Sequence, residues 1–264
     1  MSKAIEFVHV EKRFAKRHQE AAIADLSFSV EAGEHVCIVG RTGCGKSTTA
    51  NLVLGLAQAT AGLVRVLGVD PHRDFNELRG RIGCVFQTDR LLPWRTALEN
   101  VLMPLEILRR RSPETEASAV EMLRKVGLAG YEHAHPQQLS GGMRQRVALA
   151  RALITRPEVM IVDEAFGALD EVTAAALRSD FRSIAKAHGQ TVLQITHSLE
   201  EALGMADRIL VFDRPGRVAG EFAKHQWETP AQRQAVKQML RTLIAGGADD
   251  PISVRGLAAV PKAA

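Results

Sequence analysis

The stretch GRTGCGKS, residues 40 to 47, has the residue types and spacing to hold phosphate. Gly40, Gly45, Lys46 and Ser47 fit G-x-x-x-x-G-K-[ST], with a compact apolar run, VCIVG, leading in and a helix-compatible run leading out. Glycines let the backbone bend so that successive N–H groups, from Gly40 through Arg41, Thr42, Gly43, Cys44 and Gly45 to Lys46, Ser47 and Thr48, face phosphate oxygens. The following helix adds its positive end. Lys46 would reach the β- and γ-phosphates of a nucleotide, and the Ser47 hydroxyl would ligate Mg²⁺.

VMIVDE, residues 159 to 164, ends an apolar run on two carboxylates, at the strand end where open α/β sheets place ligand chemistry. Asp163 suits holding Mg²⁺ through water. Glu164, one residue on, points differently and suits polarising an attacking water. LSGGMRQR, residues 139 to 146, is a second phosphate-gripping element, with Ser140, Gly141 and Gly142 opening a strongly helical run. Why one chain needs two such sets is the question the sequence poses.

Taken together, these motifs resemble the ATP-binding cassette (ABC) ATPases, and the resemblance extends over roughly residues 3–222. The order of further motifs agrees: Phe14, Gln87 in VFQ, the signature LSGGMRQR, FGALD ending at Asp170, then His197 in ITHS. The resemblance implies ATP and Mg²⁺ as cofactors. It also implies two cassettes meeting head to tail, each ATP lying between the phosphate loop of one and the signature of the other. Ser140, Gly141 and Gly142 would then grip the partner's γ-phosphate, which answers the question.

The remaining positions carry over one by one. Gln87 would reach Mg²⁺ and the attacking water, and His197 the γ-phosphate. Asp170 would cross the dimer interface; its ordinary role is a helix cap. Phe14 would stack on adenine where tyrosine is more common, and an aromatic on an early strand is otherwise core. Ala165 stands where proline is common, Ser198 where aspartate is common and Met143 where glutamine is frequent; none of these removes a reacting group.

Elements of a definite kind must position these residues. The first third reads as short strands, IEFVHVEKRF, LSFSVEAG and HVCIVG. Beyond it, VMIV, a helix, TVLQIT, SLEEALGMA and RILVF alternate as in a largely parallel sheet wrapped by helices. The expected fold class is α/β: a P-loop core with a mostly parallel sheet, an N-terminal antiparallel β-subdomain and an inserted helical subdomain at about 90–155. Within that insertion, ALENVLMPLEILRR is helix-like apart from Pro104, and Ser112, Pro113 and Gly127 start and stop a second helix. Residues 223–246 are expected to dock as a helix whose apolar face is Val236, Met239, Leu240, Leu243 and Ile244. Residues 247–264 show no periodicity and are expected to be loose.

Bulk properties narrow the class. Lysine plus arginine exceed aspartate plus glutamate by 34 − 30 = 4, spread along the chain, which argues only weakly for nucleic acid. Cys37, Cys44 and Cys84 have no zinc or dithiol spacing and read as packing residues of a reducing compartment. Gln58, Thr60 and Arg65 interrupt the one long apolar stretch, residues 52 to 69, so it reads as a helix, a turn and a strand.

Among ABC ATPases, those acting on chromosomes need a long coiled coil between phosphate loop and signature, and translation factors fuse two cassettes. This chain has one cassette and a short insertion. The expected function is therefore the ATP-hydrolysing subunit of a bacterial importer, working with a second cassette (a second copy of this chain), separate transmembrane permease subunits and, indirectly, a periplasmic binding protein. It would sit peripherally on the cytoplasmic face of the inner membrane. LLPWRT and DRPGRV are similar to nitrate, sulfonate and taurine importer ATPases. Leu91, Leu92 and Trp94 would offer anchors to the permease or else pack the subdomain. The competing class is a soluble ATPase acting on DNA or ribosomes.

Overall fold

The chain, as a computed structural model describing residues 2–14, 21–167 and 169–246, alternates strands and helices. It runs β1 (Lys3–Lys12), β2 (Ile23–Glu31), β3 (His35–Gly40), α1 (Lys46–Val53), β4 (Ala61–Val66), β5 (Ile82–Val85), α2 (Ala97–Ile107), α3 (Pro113–Lys125), α4 (Gly141–Leu153), β6 (Val159–Asp163), α5 (Glu171–Ala187), β7 (Thr191–Ile195), α6 (Leu199–Met205), β8 (Arg208–Asp213), β9 (Arg217–Ala223) and α7 (Pro230–Ala245).

β2, β1 and β4 form an antiparallel sheet in that order, and β5-β6-β7-β3-β8-β9 form a second sheet, parallel except for β9. The parallel strands are apolar without alternation because both faces are covered, one by helices α4 to α7 and the other by the antiparallel sheet and α1. β1 behaves differently. Ile5 and Phe7 are buried, but the next buried residue is Val10, since a register shift around His9, at φ 47°, resets the period of two. β9 carries no clear strand signal and was not anticipated; it pairs antiparallel to β8 through the Arg214–Gly216 turn. That turn must be glycine at 216: φ is 52°, and a Cβ would lie 2.7 Å from the Ala22 carbonyl oxygen.

The helical subdomain follows its capping signals. Thr96 and Glu99 cap α2 reciprocally, and Ser112 caps α3 with Pro113 in its first turn. The helix runs through Pro104 instead of stopping there. Leu98, Val101, Leu102 and Leu105 are buried, so packing outweighs the lost backbone bond, about 3 kcal/mol. α7 begins at its Thr229 cap and buries Val236 and Leu240, with Met239, Leu243 and Ile244 packed beside them. Residues 247–264, expected to be loose, lie outside the described residues.

A buried polar cluster lies under the parallel sheet. His35 faces the Gln194 amide oxygen at 2.9 Å, and burial pulls its imidazole down from 6.5 to about 4. His35 is thus neutral when folded and protonates more readily when unfolded. Stability is full above pH ~6.5 and falls as pH drops toward 4, by about 3 kcal/mol over the whole window. Thermal melts at pH 7.5 and 4.5 should show that loss, with a shallower pH slope in His35→Gln; an unchanged slope would remove His35 as its source.

Candidate functional site

The phosphate loop takes its shape from its glycines. Gly43 and Gly45 lie at φ 80° and 92°, and a Cβ on Gly40 would come within 2.3 Å of the Phe212 carbonyl oxygen on β8. Thr42, Gly43, Gly45, Lys46, Ser47 and Thr48 line a cavity of about 330 Å³ that Glu164 also reaches. Lys46 is buried, its ammonium donating to the Gly40 and Arg41 carbonyls at 2.7 and 3.0 Å. A triphosphate would offer charged acceptors in place of these neutral ones. Arg41 is exposed, whereas Cys44 is buried under the loop and burial raises its thiol pKa.

β6 delivers the carboxylates. Asp163 ends the strand, and Glu164 turns to φ 49°, a conformation uncommon for a residue with a side chain. Its N–H donates to the Ile195 carbonyl at 2.9 Å, which holds the turn. Glu164 Oε1 stands 3.6 Å from His197 Nδ1. Of the two acids, only Glu164 lines the cavity.

Burial and the neighbouring Glu164 charge push the Asp163 carboxyl above its usual range, with Lys46 opposing. The residues expected to hold Mg²⁺, the Asp163 carboxylate, the Ser47 hydroxyl and the Gln87 amide, offer the hard oxygen donors that suit it, and of the three only Ser47 lines the cavity. Among the described residues no group of three or more His, Cys, Asp and Glu could hold a metal. Ser47, Asp163 and Gln87 would hold Mg²⁺ together with phosphate oxygens and water, and the bound ion would neutralise charge building on the transferred phosphoryl group. Gln87 is exposed, just beyond β5.

The signature lies elsewhere. Ser140 caps α4, accepting from the Met143 N–H at 3.3 Å, and none of Ser140, Gly141 and Gly142 lines the cavity. The two glycines differ in their surroundings. A Cβ on Gly142 would meet Thr173 Cγ2 at 2.9 Å, so α4 and α5 touch there; one on Gly141 would meet only the Arg144 guanidinium, at 3.9 Å. Asp170 caps α5, accepting from the Thr173 N–H at 3.0 Å, so its ordinary role is realised. Phe14 is 51% exposed, with Lys12 Nζ 4.9 Å from its ring centroid, and is therefore no core residue; neither does it line the cavity.

Some contributors were not anticipated. Arg144 reaches Asp89 at 2.9 Å, Gln145 donates to the carbonyls of Phe86 and Ala165, and Arg151 donates to those of Asp89 and Arg90. Three side chains of the signature helix thus hold the segment bearing Gln87. Arg, Gln and Arg at i, i+1 and i+7 along the helix that the signature opens were the available signal. Arg214 donates to the Thr42 carbonyl at 2.5 Å, a contact across 172 positions that no local pattern announces.

Comparison with known proteins agrees with this geometry. The chain matches the ABC transporter family over residues 23–167. The nitrate import ATP-binding protein NrtD of Synechococcus elongatus is 42% identical, covering 81% of this chain and 78% of its own length. The bicarbonate transport ATP-binding protein CmpD of Synechocystis is 40% identical, covering 82% and 76%. Among solved structures, the ATP-binding cassette MJ0796, a dimer in a post-hydrolysis state bound to ADP and Pi, superposes with a TM-score of 0.74 at 32% identity, covering 83% of this chain and 98% of that one. With cavity, carboxylates and signature helix arranged as described, the chain belongs to the ABC transporter family and is one of its ATP-hydrolysing cassettes.

Proposed function

We propose that this cassette powers uptake of a small anion, of the nitrate, sulfonate and taurine class, through separate membrane subunits. Two copies would pair so that each signature completes the other's site, MgATP closing the pair and Glu164-assisted hydrolysis opening it. The observation that carries this reading is the split itself: phosphate loop and Glu164 share a cavity from which Ser140, Gly141 and Gly142 are absent. Among the described residues no helix is long and apolar enough to cross a membrane, so the transport path belongs to partner chains on whose cytoplasmic side the cassette would sit. A binding protein outside would choose the solute. The nitrate relative and the LLPWRT and PGR stretches support the anion class, and the bicarbonate relative fits it too.

An apolar surface beside α2 supports a permease contact there. An apolar groove of about 420 Å³ between the P-loop core and α2 is lined by Leu54, Phe75, Phe86, Met103, Pro104 and Ile107. Of the LLPWRT anchors, Leu91 is buried in the subdomain core while Trp94 is 71% exposed. Leu91 therefore packs, Leu92 is half-buried, and the exposure of Trp94, which does not itself line the groove, supports it as the anchor. Tagged cassette from a detergent extract should bring down a hydrophobic subunit, and Trp94→Ala should cut that recovery about tenfold without changing Tm. Recovery of nucleic acid or ribosomes with no hydrophobic subunit would replace transport by the soluble-ATPase reading.

A further inference from the structure

His197 and Asp170 lie on separate loops, yet a chain of polar contacts, buried at Glu201 and reaching the surface at Glu171, runs between the segments that bear them. Glu201, on α6, is 4% exposed. Its Oε2 accepts from the Thr196 hydroxyl at 2.7 Å and from the Gln194 amide at 3.3 Å. The Thr196 oxygen in turn accepts from the Ser198 N–H at 3.0 Å, so one hydroxyl fixes the residues on both sides of His197. The other Glu201 oxygen faces Arg178 Nη1 at 3.6 Å. Arg178, with a side chain only 14% exposed, uses its second amino group to reach Glu171 Oε1 at 2.6 Å. Glu171 opens α5 immediately after Asp170, the cap of that helix.

We propose that Arg178 and Glu201 are positioning residues that lock the His197 loop to the Asp170 segment, so that closure at the dimer interface sets the histidine at the γ-phosphate. This rests on the composite-site reading above. A buried carboxylate with two hydrogen-bond donors and a shielded guanidinium as its ion-pair partner is costly to form unless its geometry is fixed, and a fixed link is what joint movement of two loops requires. Arg178 contacts two acids with separate nitrogens, a fork that lysine reproduces only in part.

The test is steady-state ATP hydrolysis by the full chain. Glu201→Gln keeps the shape and the Thr196 bond but removes the charge Arg178 meets, and Arg178→Gln removes the other end. Each should lower kcat about tenfold, because a small misplacement of a reacting group is amplified in rate. ATP binding to dilute monomer should be unchanged, the double variant should be no slower than either single, and Arg178→Lys should recover part of the rate. Fluorescent-nucleotide binding confirms that each variant is folded. If the two losses multiply, if ATP affinity falls in place of kcat, or if both variants turn over normally, the link is not a positioning device. His197→Ala and Asp170→Ala separate the two failures: if these also hydrolyse at the wild-type rate, the composite-site reading itself is wrong.

Discussion

Replacing Glu164 by glutamine is expected to lower ATP hydrolysis about a thousandfold while leaving ATP binding intact, since a positioned general base supplies a factor of this order. The geometry makes the substitution clean. Glu164 reaches the cavity because its backbone is held at φ 49° by the bond from its N–H to Ile195, and glutamine keeps both the backbone and the side-chain length. What is lost is the carboxylate proposed to draw a proton from water. Asp163, Lys46 and Ser47, proposed to hold nucleotide and metal, are untouched, so bound ATP should persist and the protein should accumulate as a closed dimer. Size-exclusion chromatography with light scattering, with MgATP present, should show twice the monomer mass for the variant. Hydrolysis within threefold of the wild type would assign the base elsewhere, and His197, 3.6 Å away, would be the next group to examine.

The fold class and the elements that carry the expected site residues were legible in the sequence, for a physical reason. GRTGCGKS, the DE pair and LSGG sit at element ends that their own glycines, caps and apolar runs define, so residue type and spacing nearly determine where they lie. The strand ending at Asp163, the helix opening at Gly141 and the caps at Ser112 and Thr229 all lie where their own residues place them. Features that depend on distant partners were invisible. β9 forms because β8 offers an edge, the His9 bulge shifts the β1 register, and Arg214 and the Glu201 chain join residues far apart in sequence. Pro104 misled in the same way, since its local signal to break a helix yields to four buried neighbours. Phe14 shows the limit from the other side: the structure removes its core role without bringing it to the nucleotide cavity.

The second large effect separates a shared site from a self-sufficient one. Gly141→Asp should fold normally, because its Cβ would meet nothing closer than the Arg144 guanidinium at 3.9 Å and an acid in the first turn favours a helix N-terminus. Ser140 is a poorer choice, since losing its cap on α4 costs about 1 kcal/mol by itself. In the shared arrangement the new carboxylate confronts the partner's γ-phosphate, and hydrolysis should fall at least about a hundredfold, the cost of spoiling one preorganised anion site. ATP binding to the monomer should be unaffected, because Gly141 does not line the cavity of its own chain. Lys46→Ala should be inactive for the opposite reason, a ruined phosphate loop beside an intact signature. Mixing the two inactive proteins then decides the matter. In the mixed dimer the intact phosphate loop of one meets the intact signature of the other, so one complete site reappears and activity should return to a sizeable fraction of the wild-type rate. Chains that each hydrolyse ATP alone would stay inactive when mixed.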